Sequence, residues 1–169
     1  KSTQCLFAPT ARLWAALPVE LAHKVDARSL RAFALFASAQ EKVDGFVWQL
    51  KTAETTLDGL CTAVRQLLTA LSDADPTGYR CMAKSFIGGR GWVFEFGGSE
   101  FFITTFSPCY DAHHPRHTFG VEDSFVLLQP YHSFLLHGIG HDTPHTSWER
   151  PQTSRDRIRV RFRDAGRPY

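Results

Sequence analysis

The run GWVFEF, then GGS, then EFFITTF, residues 91–106, constrains the fold more than any other stretch. It reads as a hairpin of two aromatic strands around a glycine turn. GFVWQL (45–50) and SFVLLQP (124–130) read as further strands, so a sheet occupies the middle of the chain. Helices flank it. ARSLRAFALFASAQ (27–40) places Leu30, Phe33, Ala34 and Ala37 at helical spacing behind Asp26 as a cap. TTLDGLCTAVRQLLTALS carries an apolar stripe of Leu57, Leu60, Cys61, Val64, Leu67, Leu68 and Leu71 behind a capping box of Thr55 and Asp58, which makes Cys61 a core position. The tail TSRDRIRVRFRDAGRPY alternates arginine as a strand would. Thr153 and Asp156 nevertheless form a capping box, Ile158, Phe162 and Ala165 share a helical face, and Gly166-Arg167-Pro168 is a stop, so the tail is read as helix. This order predicts an α+β fold, a single domain over 1–169 with a mixed or mainly antiparallel sheet and helices packed on it.

Composition narrows the class. Fourteen Phe among 169 residues suffice for a dense core or for the walls of a pocket around a flat apolar ligand. No apolar run approaches the roughly 20 residues that span a bilayer, which leads us to expect a soluble, cytoplasmic protein with no membrane partner. Cys5, Cys61, Cys81 and Cys109 are widely spaced with no CxxC, so reduced thiols are expected rather than a zinc ribbon or attached haem. The net charge of +2 does not imply nucleic acid, and Asp156 and Asp164 offset the arginine-rich tail. HDTPHTSW contains no HExxH, IGGRGW fits no phosphate loop, and no GxSxG elbow is present, so hydrolase readings fall away.

The chemistry concentrates in SPCYDAHHPRHTFG, residues 107–120, which joins two strands and carries three of the eight histidines. Three explanations compete. Cys109, His113 and His117 hold zinc or non-haem iron; or one histidine ligates a haem between the flanking aromatic strands; or the histidines hydrogen-bond locally.

The segment from Trp92 to Pro130 resembles the YqcI/YcgG family. The matching elements are Trp92, Phe94, Phe96 and Gly97, then Pro108, then Ala112-His113-His114-Pro115-Arg116, then Gln129-Pro130, with CLFAPTARLW and the arginine-rich tail extending the similarity over most of the chain. The resemblance implies a haem-dependent oxidoreductase with b-type haem. It would be an N-hydroxylating monooxygenase of natural-product biosynthesis, acting on a guanidino or amino nitrogen of a small arginine-like substrate with O₂ or peroxide and an external electron donor. It makes His113 the proximal iron ligand and Arg116 the partner of a haem propionate. Members often carry a second arginine three residues beyond Arg116, where this chain has Phe119 with His117 nearby.

On that reading His114 and Cys109 are the alternative ligands, since only one of two adjacent extended residues points at a given metal. Asp111 or Glu122 would orient the imidazole. Trp92, Phe94, Phe106 and Phe125 are expected as walls of the haem pocket. Arg116, His117 and His132 are the expected catalytic groups, with His132 or His137 supplying the distal side, and Glu95, Glu100 or Asp123 meeting the guanidinium. His137, His141 and His145 recur every four residues, but Gly138, Gly140 and Pro144 oppose the helix that would align them. The aromatic surface allows a homodimer. A haem-binding or sensing protein without turnover, and a zinc or iron protein built on Cys109, His113 and His117, are the alternative readings.

Overall fold

A computed structural model describes residues 9–19, 25–38, 43–51, 56–89, 91–139 and 145–167. The fold is α+β. In chain order the elements are β1 (Leu13–Val19), α1 (Ala27–Ser38), β2 (Gly45–Leu50), α2 (Leu57–Asp73), a 3-10 turn at Cys81–Ala83, β3 (Phe94–Phe96), β4 (Ser99–Phe106), β5 (Ser124–Pro130), α3 (Tyr131–Leu136) and α4 (Ser154–Asp164). The strands form one mixed sheet in the order β1-β2-β5-β4-β3, in which only β1 and β2 run parallel. α1 is the crossover that a parallel pair requires.

The aromatic hairpin forms as expected. Phe96 pairs with Ser99 across Gly97 and Gly98, whose φ angles of 60° and 76° are open to glycine at little cost, so Ser99 belongs to the strand and the turn is two residues long. Side chains then alternate. Phe46, Trp48 and Leu50 of β2, Val126 and Leu128 of β5, Phe101 of β4 and Phe94 and Phe96 of β3 all enter one buried layer. Phe33 of α1 lies at its centre, with ring centroids 4.8 to 5.9 Å from Phe96, Phe46, Phe101, Trp48 and Phe36. Six of the fourteen phenylalanines, Phe33, Phe36, Phe46, Phe94, Phe96 and Phe101, thus belong to this core.

Local signals set the helix starts. Asp26 accepts from the backbone N–H and the hydroxyl of Ser29 at 2.9 and 2.7 Å, as the sequence predicts. At α2 the cap is Thr56, whose hydroxyl accepts from Gly59 N–H at 3.1 Å; the expected partner Thr55 lies outside the described residues. Cys61 is exposed rather than buried. The buried stripe is Leu60, Ala63, Leu67, Leu68 and Leu71, and the 100° step from Leu60 carries Cys61 off it. The tail is helical, with the Thr153 and Asp156 capping box formed in both directions. β1 and α3 carried no sequence expectation. Among the described residues no helix is long and apolar enough to cross a membrane.

The other face of the sheet holds Val47, Gln49, Phe102, Thr104, Phe106, Phe125, Leu127 and Gln129. Phe134 of α3 meets Phe102 edge-on at 5.5 Å there. α4 is tied at its start by the Ser154 hydroxyl to the Gly138 carbonyl and past its end by Arg167 to the 107–123 loop. Its buried Ile158 and Phe162 lie outside the main core cluster.

One end of the sheet is pinned by a buried carboxylate. Asp44 accepts from Arg12 N–H at 2.9 Å, from the Ser133 hydroxyl at 3.0 Å and from His137 Nε2 at 2.7 Å, joining β1, β2 and α3. Burial alone would raise its pKa, but the Arg12 amide, the His137 and Ser133 hydrogen bonds and the His137 charge outweigh that, and it falls from 3.8 to about 2.

Two outcomes follow for stability. Phe33→Ala should destabilise by about 3–5 kcal/mol in urea unfolding, because it empties the middle of a ring cluster, whereas Phe102→Ala on the outer face should cost far less. Since the folded Asp44 pKa lies below its ordinary value of 3.8, its contribution is complete above that pH and is lost as pH falls toward 2. Unfolding in a pH series should show a loss of about 2 kcal/mol over that interval, absent in Asp44→Asn.

Candidate functional site

β4 ends at Phe106 and β5 begins at Ser124, so residues 107–123 form one long connection at a single end of the sheet. Its neck is fully buried. The Ser124 hydroxyl donates to Ser107 Oγ at 2.8 Å, Cys109 N–H donates to the same oxygen at 3.2 Å, and Ser107 N–H reaches the Arg116 carbonyl at 3.0 Å. Asp111 turns the chain by accepting from His113 N–H at 2.8 Å through its side chain and from His114 N–H at 2.8 Å through its carbonyl.

Tyr110 organises the histidines. Its hydroxyl meets Thr105 Oγ1 at 2.6 Å, its ring stacks on His114 at 4.6 Å and 10°, and its carbonyl lies 2.8 Å from His117 Nδ1. A carbonyl only accepts, so His117 Nδ1 carries the proton and the neutral ring presents Nε2 as a lone pair. His114 has the opposite arrangement. Arg116 N–H donates to its Nδ1 at 3.1 Å, which leaves the neutral ring with its proton on Nε2. Burial lowers the His114 pKa most, the Arg116 charge lowers it further, Asp111 raises it and Arg167 lowers it.

Arg167, read in the sequence as part of a helix stop in the arginine-rich tail, closes the loop from the far end of the chain. Its Nε and Nη2 donate to the His113 and His114 carbonyls at 3.2 and 3.0 Å, and its guanidinium lies 4.9 Å from the Phe119 ring and 5.8 Å from Phe162. Phe119 adopts a φ of 51° and meets His117 edge-on at 5.2 Å. No local pattern links positions 53 and 54 residues apart.

The expected site residues separate into groups. His113, His114, Arg116 and His117 do share the loop. The orienting bond expected for His113 is found at His117 instead: Asp111 holds the His113 backbone, and the exposed His113 ring has no hydrogen bond among the described residues. Arg116 is half-buried, with no acceptor for its guanidinium among the described residues. Cys109, a half-buried free thiol, does not close with His113 and His117, since among the described residues no three His, Cys, Asp or Glu side chains gather to hold a metal ion.

The four expected pocket aromatics do not share a face. Phe94 is fully buried in the core and pairs with Phe101, and Trp92 packs against that same cluster with its Nε1 buried and without a hydrogen bond among the described residues. Phe106 and Phe125 are register partners on the opposite face. Strand alternation therefore puts the sheet itself between the two pairs. His132 belongs to α3 and His137 is bonded to Asp44, both beyond the other end of β5, about 20 Å away along the strand; neither reaches the loop as a distal group. His141 lies outside the described residues, and His145 is exposed. Asp123 is engaged by Gln49 Nε2 at 2.6 Å, while Glu95 and Glu100 face each other across β3 and β4.

The donor chemistry fits ligation of a haem by one histidine, with His117 in the required tautomer, whereas the expected aromatic sandwich is not assembled from these four residues. No family model matches the chain, and no curated protein or solved structure matches it.

Histidine NMR titration should place the His114 midpoint below 6.5. Arg116→Gln and Arg167→Gln should each move it up, and Asp111→Asn should move it down. A His114 that does not respond to either arginine would contradict the charge arrangement described above.

Proposed function

We propose that the chain is a cytoplasmic haem-dependent N-oxygenase, whose 107–123 loop holds b-type haem through one histidine and which acts on a guanidino or amino nitrogen of a small arginine-like substrate. The observation that carries the reading is the bond from His117 Nδ1 to the Tyr110 carbonyl at 2.8 Å, because an imidazole so held offers Nε2 to iron in a fixed direction. The resemblance at Ala112-His113-His114-Pro115-Arg116 supplies the reaction class and would choose His113; the hydrogen bonds of the loop favour His117. Bound haem would supply the activation of O₂ or peroxide, with electrons from an external donor.

The chain's own residues orient and exclude. Tyr110 fixes the His117 ring, and its hydroxyl contact with Thr105 ties that support to β4. Phe119 covers one edge of His117. His114, with its pKa lowered, stays a neutral donor at physiological pH. Arg116 offers a planar fork to a carboxylate.

Absorption spectra of protein from haem-supplemented cells test this. A Soret band is expected in the wild type and in His113→Ala and His114→Ala, and its loss is expected in His117→Ala. Loss with His113→Ala alone would return the ligand to the motif position, and no band in any protein would overturn haem binding. Aerobic incubation with a reductant and L-arginine then separates an oxygenase, which forms a hydroxylated product, from a haem sensor, which does not.

A further inference from the structure

α3 leaves apolar surface uncovered. Leu135 and Leu136 are 66% and 65% exposed, and Tyr131, one turn before Leu135, is exposed on the same side of the helix. Ring contacts carry the patch onto the sheet: Phe134 lies 6.1 Å from Tyr131 and meets the exposed Phe102 edge-on at 5.5 Å. A single exposed leucine is ordinary, but two adjacent ones beside exposed rings make a patch.

Positive charge adjoins it. The Ser154 hydroxyl at the start of α4 donates to the Gly138 carbonyl at 3.4 Å, two residues past Leu136, and Arg157 Nη2 reaches that same hydroxyl at 3.5 Å. Arg161 follows one turn on, along the same side of α4. Arg157 and Arg161 are exposed, and neither has a carboxylate partner among the described residues. Residues 145–167 hold seven arginines against three acids in a chain whose net charge is +2. Two of those acids are engaged elsewhere: Asp156 is buried and accepts the Thr153 and Ser147 amides, and Asp164 is bonded to Arg163.

We infer that the exposed face of α3 and the Arg157 and Arg161 side of α4 together dock on an anionic lipid surface. Leu135, Leu136 and Tyr131 enter the boundary between headgroups and acyl chains, and the two guanidiniums meet lipid phosphates. Arginine by itself suits any polyanion. The leucine pair selects among them, because nucleic acid offers phosphate without hydrocarbon whereas an anionic bilayer presents both. The expectation of no membrane partner rested on the length of apolar runs, which bears on spanning and not on surface contact; among the described residues no helix is long and apolar enough to cross. This face lies beyond the opposite end of β5 from the histidine loop, so the inference goes beyond the proposed function and does not depend on haem.

Flotation with vesicles of phosphatidylcholine alone, and of phosphatidylcholine mixed with an equal part of phosphatidylglycerol, tests it. The wild type is compared with the double variants Leu135→Ser/Leu136→Ser and Arg157→Gln/Arg161→Gln, with circular dichroism to check folding. All four positions are exposed, so both variants should fold. The wild type should float with the mixed vesicles and not with phosphatidylcholine alone, and should be released as salt is raised. Each double variant should bind the mixed vesicles about tenfold or more weakly. A single-stranded oligonucleotide serves as the competing polyanion and should bind more weakly than the mixed vesicles. No flotation with the mixed vesicles overturns the inference, and so does equal flotation with both kinds. Binding that falls with the arginine pair but ignores the leucine pair, or an oligonucleotide bound as tightly as the vesicles, also overturns it and makes this a nucleic-acid or general polyanion surface.

Discussion

The contact of Phe33 with rings from three strands fixes the rest of the molecule. Placing α1 against Phe46, Trp48, Phe96 and Phe101 decides which face of the sheet is interior. A strand has a side-chain period of two, so this choice propagates along every paired strand. It sends Phe94 inward and Phe106 and Phe125 outward, and the aromatics nearest the histidine loop cannot all wall one cavity.

The loop itself is built from backbone geometry more than from apolar burial. Its turns are closed by Asp111, Ser107 and the histidine amides, and its two inner histidines are held as opposite tautomers because one receives an amide N–H and the other faces a carbonyl. Three histidines within five residues therefore have three characters: His113 is exposed, His114 is a stacked donor, and His117 is a lone pair on a fixed ring. Identical side chains acquire different chemistry from which backbone group each one meets.

The two ends of β5 do separate work. At one end the buried Asp44 carboxylate gathers β1, β2 and α3 through three hydrogen bonds, and His137 is committed to that joint. At the other, Ser124 anchors the loop neck. α4 bridges them, fastened near Gly138 at its start and at the His113 and His114 carbonyls just past its end. The arginine-rich tail thus serves the histidine loop through Arg167.

Much of this was legible in the sequence by itself. Periodicity of 2 and of 3.6 gave the hairpin, β2, β5, α1, α2 and α4; Asp26 and the Thr153 and Asp156 pair gave two helix starts; and the density of imidazole marked the loop. These are local signals, carried by neighbours within about one or two turns of chain. Cys61 shows their limit, since an apolar neighbour on a helix need not lie on its buried face. Only the tertiary structure decided that β1 pairs in parallel at the edge, that Phe94 and Phe106 part company, that His137 belongs to Asp44, and that Arg167 closes on His113 and His114. Each depends on groups tens of residues apart meeting through packing, and the orientation of an imidazole depends on which donor or acceptor that packing brings to it.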